Sequence, residues 1–208
     1  MSPFRSLPQD QSIEQWIPTT LPWIHEAGNP YYDWLFGGAA EATLALAEWM
    51  RRPSSEVFVG RIMLLVDTGH TLGGFIALPG SELDTCRRLD AFAAVQAAGP
   101  EQRRSMLTRM RLARGLFATV SAQEFYLSKM AVLPRHRGAG HGAAIVREYL
   151  DVGAALGFRR FRLDVWAGNQ PAIHLYEAAG FRTLRESSAQ QARMTYLDMA
   201  LEREPAPN

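Results

Sequence analysis

An apolar run over residues 124 to 133 passes through Pro-Arg-His-Arg into three glycines spaced two apart, Gly138, Gly140 and Gly142, and then into helix-forming sequence. A strand, a glycine-rich turn and a helix in immediate succession constrain the fold strongly. The strand belongs in a sheet, and the helix must pack back onto it. The turn's backbone N–H groups, at the positive end of the helix dipole, form a cradle for an anion. The helix reads from about 141 to 156. Ile145, Val146, Tyr149, Leu150 and Val152 give it a broad apolar stripe, and Gly157 ends it.

The flanking sequence supplies the other layers. Residues 12 to 52 read as helical, with Pro18 and Pro22 expected to break or kink the stretch and Pro53 to stop it. Residues 56 to 66 and 71 to 78 read as strands joined by Asp-Thr-Gly-His, a hairpin signal. Residues 81 to 120 are helical in composition, with an arginine-rich second half. They fit either two surface helices with solvated charges or an element that shapes a substrate site or a subunit contact. Residues 158 to 166 form a further strand, "NQPAIHLYEAAGF" a short helix ending at Gly180, and residues 181 to 186 and 192 to 201 a final strand pair. No repeat or linker interrupts the 208 residues, so one α/β domain over residues 1–208 is expected.

Composition excludes several classes. A formal net charge of +1 gives no general attraction for nucleic acid or a membrane surface. No stretch approaches the roughly 20 apolar residues of a membrane span. A soluble, cytoplasmic protein is therefore expected. Cys86 is the single cysteine, which rules out an intrachain disulfide and any multi-cysteine metal site. His136, His141 and His174 lack the spacing of a zinc-binding helix, and no metal is expected.

Three phosphate-binding designs compete for the glycines. A Walker loop needs a lysine and then Ser or Thr after its last glycine, whereas Ala143 and Ala144 follow Gly142. A dinucleotide fingerprint, G-x-G-x-x-A, is met by Gly138, Gly140 and Ala143, with Asp164 near the end of the next strand as its acidic partner. Against it, Pro-Arg-His-Arg separates the strand from the glycines, and the chain beyond Asp164 is too short for the remaining βα units.

The third design fits both sides of the loop. "KMAVLPRHRGAGHGAAIV" followed by "NQPAIHLYEAAGF" resembles the GNAT superfamily of N-acetyltransferases. That family carries an Arg/Gln-x-x-Gly-x-Gly/Ala loop, here Arg137, Gly140 and Gly142. It also carries an N-x-x-A-x-x-L-Y-x-x-x-G-F segment, here Asn169, Ala172, Leu175, Tyr176, Gly180 and Phe181. The resemblance covers roughly residues 124 to 186. It implies a mixed, mostly antiparallel sheet flanked by helices (α/β, or α+β), open between the strand before the loop and the strand ending at Trp166. Residues 81 to 120 are then a helical insertion before the central strand.

The implied activity is transfer of an acetyl group from acetyl-coenzyme A to a primary amine, with no metal. Backbone amides from Arg137 through Gly138, Ala139, Gly140 and His141 to Gly142 suit the pyrophosphate, because glycine permits close approach and unusual backbone angles. The helix dipole adds about 0.3–1 kcal/mol. The backbone of Met130, Ala131 and Val132 is assigned to the pantetheine arm, and Asn169 either to that arm or to capping its helix. Tyr176 stands where the family places its general acid. Phenol and thiol reference pKa values make full proton transfer from tyrosine to thiolate uphill by about 2 kcal/mol, so a hydrogen bond to the developing sulfur charge is the safer assignment. Glu124 and Tyr126 share strand parity with Ser128 and are the candidates for the base. Lys129 has no assigned role. The acceptor is a small-molecule or peptide amine, and a homodimer is possible. A non-catalytic acyl-coenzyme A sensor and a dinucleotide-binding oxidoreductase are the alternatives.

Overall fold

The computed structural model of the protein describes residues 2–7 and 11–203. Seven strands form a single sheet in the order β1-β2-β3-β4-β5-β7-β6. These are β1 (Phe4–Ser6), β2 (Ile62–Asp67), β3 (His70–Pro79), β4 (Glu124–Val132), β5 (Arg160–Trp166), β6 (Arg182–Ala189) and β7 (Met194–Glu202). Every neighbouring pair is antiparallel except β4 and β5. This is the mixed, mostly antiparallel sheet anticipated from the sequence. It is not the doubly wound parallel sheet of a dinucleotide-binding oxidoreductase, since one parallel pair cannot build that arrangement.

Helices cover both faces. On one side lie α1 (Ile17–Gly28), α2 (Tyr31–Phe36) and α3 (Ala39–Met50). There Trp23, Ile24, Leu46 and Met50 pack with Leu64 and Ile76 of the sheet in one apolar cluster. On the other side α6 (His141–Ala155) buries the stripe Ile145, Val146, Tyr149 and Leu150 against Phe75, Phe125, Leu127, Phe161 and Leu163. Each such side chain contributes about 1.5–3 kcal/mol. The Tyr149 hydroxyl donates to Phe125 O at 2.6 Å and Arg162 O at 3.2 Å, so one residue of α6 ties β4 to β5. The last helix, α7 (Gln170–Ala178), follows β5. Among the described residues no helix is long and apolar enough to cross a membrane.

Two sequence expectations are corrected, and one strand is additional. Pro22 lies inside α1 and the helix runs through it. Burial of the adjacent Trp23 and Ile24, at 2% and 0% exposure, offsets the roughly 3 kcal/mol of an interior proline. The strand expected from residue 56 begins only at Ile62, after a short 3₁₀ turn over Val59–Arg61. Asp90 accepts from Ser55 Oγ at 3.0 Å and Glu56 N at 2.9 Å, which holds this segment inward and away from the ladder. Strand β1 was not anticipated, because three residues carry no periodicity.

The insertion consists of α4 (Gly80–Ala97) and α5 (Pro100–Leu112). Not all its arginines are solvated. Arg103 donates to the carbonyls of Val95, Gln96 and Ala98 at the end of α4, and Arg109 to Leu35 O in α2. Arg87 turns inward, towards the centre of the sheet.

Candidate active site

Strands β4 and β5 pair only from Glu124↔Arg160 to Leu127↔Leu163 and then part. On the opposite edge of β4 the register skips one residue. Ile76 faces Lys129 while Ala77 faces Leu127, so Ser128 is the extra residue of a bulge. A bulge increases local twist and bends its strand. It coincides here with the divergence of β4 from β5, which leaves residues 128 to 132 without a strand partner on the β5 side.

One cavity, of about 450 Å³, runs along this free edge. Met130, Ala131 and Val132 line one wall, while Arg137, Gly138, Gly140, His141, Gly142, Asn169 and Tyr176 line the others. Ala139, expected among these residues, is not part of the lining. Gly138 and Gly140 have φ of 82° and 81°, in the left-handed region that L side chains rarely adopt, and Gly140 directly precedes α6. A Cβ at either position would meet nothing within 4 Å, so backbone conformation and not crowding selects glycine there. At Gly142 a Cβ would instead lie 3.0 Å from Leu175 Cδ2 of α7, so any larger residue would have to displace that leucine side chain. Amides turned outwards at a helix start, open space and an unpaired strand edge fit a long pyrophosphate-bearing co-substrate.

The remaining residues of this cleft are held by neighbours. Asn169 Oδ1 accepts from Ala172 N at 3.3 Å, which makes it the N-cap of α7. Arg137 Nε donates to Val132 O at 2.9 Å and its Nη2 pairs with Glu26 of α1, so the guanidinium bridges the end of β4 and α1. Tyr176 is buried, with its hydroxyl 3.8 Å from Met130 Sδ. Burial pushes its pKa well above the usual phenol value, so it remains a neutral donor.

A second cavity, of about 160 Å³, lies on the other side of β4's bulge. Ala27 of α1 lines both cavities, and the wall formed by β4 passes from Ser128 and Lys129 in this one to Met130 in the first. Tyr31, Tyr32, Trp49, Phe117, Tyr126 and Tyr196 give it an aromatic lining, within which five ionisable groups converge. Glu56 Oε1 accepts from Ser128 Oγ at 2.6 Å and Lys129 Nζ at 3.4 Å, and its Oε2 accepts from Arg87 Nε at 3.1 Å. Burial alone would raise the Glu56 carboxyl, but Arg87, Lys129 and the Ser128 hydrogen bond hold it down at about 2. Arg87 Nη2 donates to the Tyr126 hydroxyl at 2.8 Å, which in turn donates to Asp164 Oδ2 at 2.9 Å. Asp164 also accepts from Ala118 N through both oxygens at 3.1 Å. Burial raises Asp164, and it raises Asp90 to about 7 against the hydrogen bonds from Glu56 N and Ser55.

Of the two residues considered for the base, Tyr126 lines the second cavity and Glu124 does not. Glu124 Oε1 accepts from Arg162 Nη1 at 3.0 Å, and its Oε2 accepts from Ser121 N at 2.6 Å. Shared parity with Tyr126 did not bring Glu124 into the cavity, because Arg162 of β5 draws its carboxylate aside. Lys129 is buried in the cavity wall and not directed to solvent. Neither the loop motif nor strand parity points to Glu56, Arg87, Asp90 or Asp164 at this site. They come from three separate segments, the stretch before β2, α4 and β5, and only Asp164, the acidic residue of the rejected dinucleotide fingerprint, carries a local signal in the sequence. Among the described residues no group of three His, Cys, Asp or Glu side chains is arranged to hold a metal.

Comparison with known proteins agrees with this geometry. The family model described as "Acetyltransferase (GNAT) family" matches residues 11–181. A curated mouse protein, thialysine N-epsilon-acetyltransferase, is 30% identical over 95 residues, which cover 46% of this chain and 56% of that protein. The chain thus spans little more than half the length of that relative. Among solved structures, an N-acetyltransferase from Staphylococcus aureus Mu50 aligns over 95% of this chain and 99% of its own, with a TM-score of 0.68 at 15% identity. A structure described as an acetyltransferase aligns over 97% and 99%, with a TM-score of 0.59 at 21% identity. At such identities these structures establish a shared fold.

Proposed function

The chain belongs to the acetyltransferase (GNAT) family, and we propose that it is an acyltransferase that moves the acetyl group of acetyl-coenzyme A to a primary amine held in the aromatic cavity. The carrying observation is that two cavities meet at Ala27 on either side of the β4 bulge. One suits a long anionic donor and the other a small amine.

Acetyltransferases of this family use acetyl-coenzyme A as co-substrate, which supplies an activated thioester. The protein's part is binding, orientation and charge stabilisation. Amides between Arg137 and Gly142 receive the pyrophosphate, and the free edge of Met130, Ala131 and Val132 receives the pantetheine amides as it would an added strand. Asn169 acts indirectly, fixing α7 so that Tyr176 faces the cleft. The Tyr176 hydroxyl hydrogen-bonds the departing sulfur, where charge develops on leaving. Tyr126 and the carboxylates around it receive the amine in the second cavity. The acceptor amine loses one proton before attack. Its lone pair forms the N–C bond, the C–S bond breaks with its electrons on sulfur, and the second nitrogen proton ends on the thiol. Net, one amide, one thiol and one released proton are formed.

The cavity's small volume and aromatic walls support a small-molecule or side-chain amine, and the name of the mouse relative agrees with one. The test is turnover of acetyl-coenzyme A with a panel of thialysine, free lysine, putrescine and an alanine-ended tripeptide. The wild-type chain acetylates at least one of them. A chain that binds coenzyme A and acetylates none is a sensor and not an enzyme.

A further inference from the structure

The geometry points to Asp164 as the catalytic base, the group that binds the acceptor's ammonium and takes its proton, with Tyr126 and Arg87 as its positioning residues. This rests on the acetyltransferase reading above and assigns within it a residue that neither the loop motif nor the Asn-Tyr motif contains.

Besides Asp198, which lies opposite Asp164 and is paired with Arg162, four carboxylates lie at or near the acceptor cavity, and their surroundings separate them. Glu124 is turned away by Arg162 and lines neither cavity. Glu56 is saturated by Ser128, Lys129 and Arg87 and already neutralised by two cations. Asp90 is 4% exposed on α4, and its Oδ2 is occupied by Ser55 Oγ and Glu56 N. Asp164 differs from all three. It follows directly after Leu163, the last β5 residue paired with β4, and so stands at the fork where the two strands part. It lines the cavity, and only neutral donors reach it, the Tyr126 hydroxyl and Ala118 N. A charged ammonium is the partner it lacks, because a carboxylate hydrogen-bonded by neutral groups still attracts a cation strongly in a partly buried site.

The chain Arg87 Nη2 to Tyr126 Oη to Asp164 Oδ2, with steps of 2.8 and 2.9 Å, fixes the carboxylate without neutralising it by direct ion pairing. The charged and titratable groups facing Asp164 are Arg87 from α4, Tyr126 from β4, and Tyr196 and Asp198 from β7. Asp198 is itself paired with Arg162, at 2.6 Å. Within the reaction the ammonium gives one proton to Asp164, which passes it to solvent. The freed lone pair attacks the thioester carbon.

The experiment uses the panel amine with the highest turnover and compares the pH profiles of kcat/KM for wild type, Asp164→Asn, Asp164→Glu and Tyr126→Phe. Asp164→Asn is expected to lose about 10²-fold or more at neutral pH. Its rate should then climb about tenfold per pH unit towards the amine's own pKa, because only free base reacts. Asp164→Glu should recover part of the loss. Tyr126→Phe removes a hydrogen bond to the carboxylate, so the acid limb should move to higher pH. Unchanged rate and profile in Asp164→Asn would overturn the assignment, as would an acid limb abolished by Asp90→Asn instead. An acid limb that stays in place in Tyr126→Phe would overturn it independently of whether Asp164→Asn folds. Turnover by the wild type in the same series shows that the acetyltransferase reading stands whichever way Asp164 falls.

Discussion

Arg87 of α4 and Glu56, which precedes β2, pair at 3.1 Å across 31 residues of sequence. This contact brings the helical insertion into the site: the guanidinium that holds Glu56 also holds Tyr126, and through it Asp164. Arg87 further lies over the rings of Phe117 and Tyr126, at 5.5 and 4.9 Å.

Breaking the pair should therefore destabilise the whole protein. Glu56→Gln leaves the half-buried Arg87 and Lys129 without their carboxylate. A loss of about 3 kcal/mol is expected in denaturant unfolding at neutral pH. Its pH dependence has a definite sign. The Glu56 carboxyl is depressed to about 2 from an ordinary 4.5, so its stabilisation is complete above pH 4.5 and disappears as pH falls towards 2. The substituted protein should lack that acid-side decline.

Asp90 predicts the opposite slope. Its carboxyl is raised from 3.8 to about 7, so the folded state holds the proton more tightly than the unfolded chain. This contribution is present below pH 4 and is lost as pH rises to about 7. Asp90→Asn keeps an oxygen for Ser55 and Glu56 N and removes the titration. The variant should be more stable than wild type at pH 8, and thermal unfolding across pH 4–8 measures the difference.

In the donor cleft, backbone conformation should matter more than the arginine side chain. Gly140→Ala forces an L residue into φ of 81°, which costs about 1–2 kcal/mol, and disturbs the first amides of α6. Coenzyme A affinity should fall about tenfold or more by calorimetry. Arg137→Ala removes an exposed pair with Glu26, a contact of the kind that contributes about 0–1 kcal/mol. A fall of no more than about fivefold is expected. A larger loss in Arg137→Ala than in Gly140→Ala would reverse this ranking.

Tyr176→Phe tests the leaving-group role. The phenol is buried and its pKa is pushed well up, so it donates throughout the working pH range. The variant should lose about 10- to 100-fold in kcat with unchanged coenzyme A affinity. A loss confined to affinity would mark Tyr176 as a packing residue.

The cleft along the free edge of β4 was readable because its lining is local. The glycines, the helix stripe and the Asn169 to Phe181 segment each lie within a short window, where spacing and turn chemistry carry the information. The aromatic cavity was not, because its ionisable groups come from segments distant in sequence. Arg87 sat in a stretch whose arginines fitted solvated surface charges equally well, and Lys129 in a strand where parity is altered by the bulge at Ser128. Glu124 and Tyr126 show how far parity reaches. It put both on one side of β4 but did not register Arg162, which reaches the Glu124 carboxylate from the neighbouring strand.

Mass-spectrometric detection of acetylated amine, after the purified chain is mixed with acetyl-coenzyme A and the amine panel and with free thiol measured in parallel, tests acetyl transfer itself. One acetyl group on a primary nitrogen of at least one panel amine is expected, with one thiol released per product. Coenzyme A binding without acetylated product, and with thiol release at the level of spontaneous hydrolysis, would contradict it.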